Sequence, residues 1–523
     1  MVLVWYSGNA FFLLIRFACS TTPEHVLLSF SQVRVGVELY CADTPAAANG
    51  DCSGTVMVRG TWRNSTAVLS GTITIPAGTS LIVNLTVPHT ETVGVRLWHP
   101  NGQGDQHRYQ LTAVFTAPGG RIAPTNASRL IGFRHVALVT MNDTSPAAAA
   151  MQLNGTTHTG AFTMLFRVNG AAVYARGGAK IPMDLMEGRW TAYAHRRLVQ
   201  SAAEANFNLI RIWGGSNWAP RAFYDACDEF GILLFHDSQY DRDDEPLGSP
   251  DQWLEIKHQI RRLSHHPSIA AWTGGNEMYQ PLEKALDRIL TEIASHDKSR
   301  PVWPASPGCG WLSGVDPLSA RPCGARNPGQ APNVGSVLCA TAASIAGDLP
   351  PLQSIPNGNS KLPAGVPMVR PPGAPYPLEF HGPYSMPSDA VMPTKWPKRE
   401  VNDGAEGPGT RPVFTGPNAA PGFFISEFGC SVWQSFESMS GTLSPGNWGM
   451  VTPATGGNRN HGPGAMVQMF GAAAVNVTAT GEKAFKRQLY QSMVAQMLLM
   501  KAHIEALRSS NVFGTSFWMF NVS

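Results

Sequence analysis

The sequence predicts a multidomain chain, a small β-sandwich followed by a (β/α)8 barrel. Three observations carry this. Residues from about 26 to 118 form alternating apolar runs separated by turn residues at short, regular intervals. From about residue 162 the pattern changes to short apolar strands alternating with helical stretches. Within that second half, two glutamates, Glu277 and Glu427, each close a short apolar strand.

The elements follow in chain order. Residues 1–25 hold a short apolar core, Ala10 to Ile15, with no basic residue before it; they read as a remnant of a further domain or a weak signal segment. In 26–140, the strands Val33–Leu39, Gly71–Ile75 and Leu81–Val87 alternate in the way a half-buried strand does. Residues 141–161, rich in Ala, Asn and Thr, form a linker. The barrel takes 162–523, with strands expected at 173–178, 208–213, 232–237, 269–276, 301–305, 377–381, 422–427 and 513–520. Helical periodicity lies between them over Thr191–Ala205, Ala219–Phe230, Asp251–Ser264 and Lys483–Arg508. Residues 301–420 hold more than half of the 41 prolines, so the stretch near 307–420 is a Pro/Gly-rich insertion and not a helix. It falls around strands five and six, on the face where barrels build their sites.

With 523 residues, 43% hydrophobic and 14% charged, the chain is long and apolar enough for several cores. A formal net charge of +3, without a basic run interleaved with aromatics, argues against a nucleic-acid partner. No apolar run reaches the roughly 18–20 residues of a membrane span. Asn-x-Ser/Thr sequons at Asn64, Asn84, Asn126, Asn142, Asn154, Asn476 and Asn521 lean toward a secretory, lysosomal or extracellular route. Among the eight cysteines, Cys41 and Cys52 bracket a Gly/Asn/Asp loop that a disulfide could close, Cys309, Cys323 and Cys339 lie in the insertion, and Cys227 and Cys430 read as buried thiols. No CxxC or HExxH spacing points to a metal.

The chemistry centres on Trp272-Thr273-Gly274-Gly275-Asn276-Glu277 and Phe423-Phe424-Ile425-Ser426-Glu427-Phe428-Gly429. A carboxylate ending a buried strand is poorly placed for stability and well placed for chemistry. Two of them are what a glycosidase uses, roughly 5–5.5 Å apart when the anomeric configuration is retained. In this reading Glu277 is the general acid/base, Glu427 the nucleophile, and Asn276 binds the sugar 2-hydroxyl. The competing readings are an exposed loop glutamate for Glu277 and a carboxylate paired with a barrel arginine for Glu427. Trp213, Trp303 and Trp518 stand at other strand ends, where a sugar ring could stack on an aromatic face; core packing is the plain alternative. Asp237, His381 and Tyr384 are strand-end polar groups that could hold hydroxyls, or be satisfied buried groups.

These segments together resemble glycoside hydrolase family 2, in its β-mannosidase branch, from about residue 27 to the C-terminus. Leu97-Trp98-His99-Pro100-Asn101-Gly102 and Ile131-Gly132-Phe133-Arg134 resemble the family's immunoglobulin-like domain and its exit into the barrel. Arg211-Ile212-Trp213-Gly214-Gly215 and Phe223-Tyr224-Asp225-Ala226-Cys227-Asp228-Glu229-Phe230-Gly231-Ile232 are similar to barrel strands two and three. His265-His266-Pro267-Ser268-Ile269 leading to Asn276-Glu277 resembles the acid/base segment, and Ser426-Glu427-Phe428-Gly429 the nucleophile segment. The resemblance implies retaining, exo-acting removal of a terminal β-mannosyl residue from an oligosaccharide or N-glycan, with no metal or cofactor. It leaves two relatives open. Endo-acting mannosidases share a Gly-Gly-Asn-Glu segment, and exo-β-glucosaminidases usually lack the Asn-Glu pair. It further implies a preceding jelly-roll domain and β-domains after strand eight, so the chain is expected to be truncated at both ends, a condition in which it could be an inactive carbohydrate-binding remnant.

Overall fold

The computed structural model describes residues 3–4, 11–20, 32–41, 51–62, 66–68, 71–87, 95–120, 123–139, 164–241, 249–277, 379–381, 424–456, 461–509 and 512–521, with short stretches between 289 and 322. The expected linker and Tyr384 lie outside the described residues, as does most of the insertion.

The N-terminal part is two antiparallel sheets closed on one core. In the first, Gln32–Tyr40 pairs with Ser80–Val87 on one side and with Phe11–Ser20 on the other. That second pairing carries the sheet to the N-terminal side of residue 26, the boundary expected from sequence. In the second, Cys52–Gly60 pairs with Thr66–Val68, Ile73–Ile75 and Tyr109–Thr116, and the last of these with Thr125–Ile131. Alternate residues of Cys52–Gly60 are buried, so Val56 and Val58 meet Val33, Val35, Val37 and Leu39 from the facing sheet. The expected Cys41–Cys52 disulfide is present, with Cα atoms 5.8 Å apart, and Cys227 and Cys430 are buried free thiols.

A three-stranded antiparallel sheet, Val136–Val139, Leu165–Val168 and Ala171–Val173, joins the sandwich to the second part. Its hairpin turns at Asn169-Gly170, both with positive φ (52° and 81°). An Asn-Gly pair takes that conformation cheaply. The hairpin claims Val173, which is why the first barrel strand starts later than the 173–178 expected.

The second part is one parallel sheet of eight strands: β1 (Ala175–Lys180), β2 (Leu209–Ile212), β3 (Leu233–Asp237), β4 (Ile269–Thr273), β5 (Val302–Trp303), β6 (Glu379–His381), β7 (Phe424–Phe428) and β8 (Gly514–Phe517). Their order is β5-β4-β3-β2-β1-β8-β7-β6, with every recorded pairing parallel. The sheet is strongly curled. Phe235 on β3 and Phe424 on β7 are four strand spacings apart, about 19 Å on a flat sheet. Their ring centroids are 6.0 Å apart. Phe166 of the connecting sheet completes this trio at 6.0 and 5.9 Å and plugs the end of the sheet away from Glu277 and Glu427. This parallel, curled sheet fits a TIM-like domain. Between β5 and β6, side chains make contact: Trp303 Nε1 donates to Glu379 Oε2 at 2.5 Å.

Helices α1 (Ala192–Glu204), α2 (Arg221–Phe230), α3 (Pro250–Leu263) and α4 (Glu482–Ser509) fall where periodicity expects them. Thr191 caps α1 through its side chain, and Ser249 with Gln252 forms a capping box before α3, with Pro250 in its first turn. Gly231 stops α2 at φ 73°. Helix α3 turns Ile256, Ile260 and Leu263 inward, the stripe expected of a helix that covers a sheet. Among the described residues no helix is long and apolar enough to cross a membrane.

Two contacts from the sandwich side hold the approach to β4. Trp98 Nε1 donates to the Asp228 carbonyl at 2.7 Å. Arg134, the residue that closes Ile131-Gly132-Phe133-Arg134, donates to the carbonyls of Pro267 and Ile269, each at 2.8 Å. The strand that leads to Glu277 is therefore fixed at its root.

Candidate active site

Four strand ends bring their polar residues to one place. Arg211 on β2 is fully buried and anchors the cluster. Its Nη1 donates to Glu427 Oε2 at 2.6 Å, and its Nη2 to Asp237 Oδ2 at 2.6 Å and to Asn276 Oδ1 at 2.5 Å. Arginine suits this position because its planar fork serves several acceptors while staying charged. Burial alone would lower the guanidinium pKa, but Asp237 and Glu427 more than offset it and hold it above its ordinary value. Asp237 shows the converse. Burial raises its carboxyl to about 6, Arg211 pulls it down, and Glu379 adds a smaller upward push.

Glu277 follows β4 by four residues. The expected strand 269–276 ends at Thr273, yet hydrogen bonding continues past it: Asn276 N donates to Tyr240 O at 2.8 Å and Glu277 N to Ser306 O at 2.7 Å. Glu277 itself has φ 47°, a left-handed conformation uncommon outside glycine. One carboxylate oxygen of Glu277, one of Glu427 and a ring nitrogen of His381 all lie within 4.8 Å of one another. His381 Nδ1 is 3.1 Å from Glu277 Oε1 and 3.6 Å from Glu427 Oε2. In the ladder, His381 is the register partner of Glu427.

Most residues expected at the site are gathered there. Glu277, Glu427, Asn276, Arg211 and His381 share the network just described. Trp213 and Trp518 meet edge to face at 5.1 Å, both partly exposed. One expectation is corrected. Trp303 has no exposed surface, so it has no face to offer a sugar ring; its N–H goes to Glu379 instead. Asp237 is likewise fully buried and supports Arg211 through Oδ2.

Four further residues belong to the cluster and were not expected. Glu379 accepts from Trp303 and, at 2.5 Å, from Ser306 Oγ. Ser306 Oγ also lies 3.1 Å from His381 Nε2 and 3.3 Å from Ser426 Oγ. Asp241 Oδ1 accepts from Asn276 Nδ2 at 2.7 Å. One signal was available for Glu379: it stands two residues before His381 in a strand, hence on the same face.

No family model matches the chain. A Beta-mannosidase of Capra hircus is 34% identical over 200 residues, 37% of this chain and 21% of that protein. Beta-mannosidase A of Aspergillus aculeatus is 33% identical over 226 residues, 41% of this chain and 23% of that protein. Over these stretches the chain is similar to beta-mannosidases. The matched stretches span under a quarter of these two beta-mannosidases. Among solved structures, the Beta-D-Mannosidase of Dictyoglomus thermophilum superposes with a TM-score of 0.55 at 19% identity, over 99% of this chain and 50% of that one. An exo-chitosanase of Amycolatopsis orientalis gives 0.55 at 16% identity, over 97% and 49%. At these identities the likeness is one of fold.

Proposed function

We propose that this chain carries the catalytic centre of a retaining exo-glycosidase acting on terminal, non-reducing β-D-mannosyl residues. The observation behind the proposal is the placement of Glu277 and Glu427 oxygens within 4.8 Å of each other. Retaining enzymes hold their carboxyl groups about 5–5.5 Å apart, whereas inverting ones need about 6.5–9.5 Å to admit a water. In the first step Glu427 attacks the anomeric carbon while Glu277 gives its proton to the departing oxygen. In the second, Glu277 takes a proton from water, whose oxygen displaces Glu427 from the same carbon. Arg211 aims the Glu427 carboxylate through the 2.6 Å bond from its Nη1. Asn276 offers its second amide hydrogen to the sugar 2-hydroxyl, and Trp213 with Trp518 forms an aromatic wall. On this reading the N-terminal sandwich is an immunoglobulin-like domain that begins before the expected residue 26, with Phe11–Ser20 in its sheet, and the barrel domain takes 162–523.

The Cys41–Cys52 disulfide favours an oxidising compartment, which supports secretory, lysosomal or extracellular placement. The exposed sequons Asn84, Asn126 and Asn476 suit glycosylation. Asn521 does not: it is buried, and its amide bonds the backbone of Ile181 and Pro182.

Release of nitrophenol from nitrophenyl β-mannoside, abolished by Glu427→Gln, tests the proposal. Parallel assays on nitrophenyl β-glucosaminide and on an internal β-mannosyl linkage separate the exo-glucosaminidase and endo-mannosidase readings. A folded preparation that turns over none of the three overturns catalysis by this chain and leaves a carbohydrate-binding remnant.

A further inference from the structure

The charged and titratable groups around His381 come from five strands and the segments that follow them. Glu277 and Glu427 stand at Nδ1, and behind Glu427 lie Arg211 and Asp237. On the Nε2 side stand Ser306 and, beyond it, Glu379. The hydrogen positions in this chain are constrained by what each group can donate. Trp303 Nε1 is a donor only, so Glu379 Oε2 accepts from it. Ser306 has a single hydrogen and two candidate acceptors, Glu379 Oε1 at 2.5 Å and Ser426 Oγ at 3.3 Å, and the shorter contact assigns it to Glu379 Oε1. Ser306 Oγ must then accept at its 3.1 Å contact with His381 Nε2, which places a hydrogen on Nε2. A single ring hydrogen on Nε2 leaves the lone pair of Nδ1 facing Glu277 Oε1 at 3.1 Å.

We propose that Glu379 is a positioning residue: through Ser306 it fixes the hydrogen of His381 on Nε2, so that Nδ1 accepts the proton carried by Glu277. This rests on the acid/base role assigned to Glu277 above. The bare Nδ1 favours the protonated form of Glu277, which the first step requires. When Glu277 has passed its proton to the leaving oxygen, Nδ1 faces a carboxylate, lone pair against lone pair. That opposition is relieved when Glu277 removes a proton from the incoming water. The relay therefore supports both steps without transferring a proton itself.

Glu379→Gln reverses the relay with almost no change of shape. Trp303 still needs an acceptor, so the glutamine carbonyl turns to it and the amide NH2 faces Ser306. Ser306 then accepts from the amide and donates to His381 Nε2, which moves the imidazole hydrogen to Nδ1. There it bonds the Glu277 carboxylate and stabilises the ionised form. The experiment pairs two readouts on the whole chain, with Ser306→Ala as a second variant. Nitrogen-15 NMR of the histidine rings should show His381 as the Nε2–H tautomer in the parent and Nδ1–H in Glu379→Gln. The basic limb of the kcat/KM profile on nitrophenyl β-mannoside should move to lower pH by about one unit or more in both variants, which is about tenfold activity at a pH above the limb. A merely structural role lowers kcat/KM uniformly and leaves the limb in place. An Nδ1–H tautomer in the parent, or an unmoved limb in Glu379→Gln, overturns the proposal. The NMR arm needs no turnover. A tautomer switch in a chain that hydrolyses nothing would therefore reject the acid/base role of Glu277 and, with it, the catalytic part of this proposal, while leaving the relay geometry standing.

Discussion

Replacing Arg211 by methionine is the sharpest test of how the site is held. The change keeps a long, unbranched side chain and removes the one guanidinium that bonds Glu427, Asp237 and Asn276 together. Both carboxylates stay buried, Asp237 fully and Glu427 at 5% exposure. Removing one partner of a buried ion pair costs about 3–5 kcal/mol, because the remaining charge is stranded. The pH dependence is more telling. Asp237 titrates near 6 in the folded chain, above the ordinary value of 3.8. A raised carboxyl means that the folded state binds more protons, so this group's contribution is complete below about pH 4 and is lost as pH rises through 6. Arg211 is the cation that opposes the rise. Without it the Asp237 carboxyl climbs further, and the variant keeps losing stability above pH 6, where the parent has levelled off. The gap widens by about 1.4 kcal/mol per pH unit, hence by about 2 kcal/mol between pH 6 and 7.5. Guanidinium denaturation of both proteins at pH 5.5 and 7.5 measures it. A midpoint difference that is small, or equal at the two pH values, refutes the account of Arg211 as the counter-charge of a buried carboxylate.

Two other substitutions probe the frame. Phe166→Ala removes the plug shared with Phe235 and Phe424, and should cost about 3–5 kcal/mol in chemical denaturation while leaving the polar network in place. Gly177→Ala puts a methyl group 1.8 Å from the Leu209 carbonyl oxygen, where β1 pairs with β2, so backbone must move. It should cost at least as much as a strained core substitution, about 1–3 kcal/mol, and a melting temperature equal to the parent's would contradict the pairing.

The sequence was most legible where the signals are local. Thr191 and Ser249 mark the starts of α1 and α3, Gly231 the end of α2, and each helix lies within two residues of its expected bounds. Both carboxylates were placed at strand ends from the apolar runs that lead to them, residues 269–272 and 423–425. The Asn169-Gly170 hairpin was equally local and was missed, which displaced β1. Arg211 could be named, but its role could not be read: its partners lie 216, 26 and 65 residues away in sequence. Trp303 shows the same limit from the other side. A tryptophan at a strand end reads as a sugar platform, and only the fold reveals that Glu379, 76 residues on, accepts its N–H and that its ring is buried.

The left-handed backbone at Glu277 has a consequence for how this pair of residues can be altered. Neighbours in an extended strand point to opposite faces. Asn276 and Glu277 nevertheless serve one site, the first bonding Arg211 and the second His381. The φ of 47° is what suspends the alternation. Asn276 and Glu277 are therefore a single geometric unit and cannot be moved one at a time. Grafting the dipeptide onto the end of an ordinary strand would send one side chain into the pocket and the other into the wall, unless the host loop also supplied the turn and the roughly 1–2 kcal/mol needed to hold a side-chain-bearing residue in it.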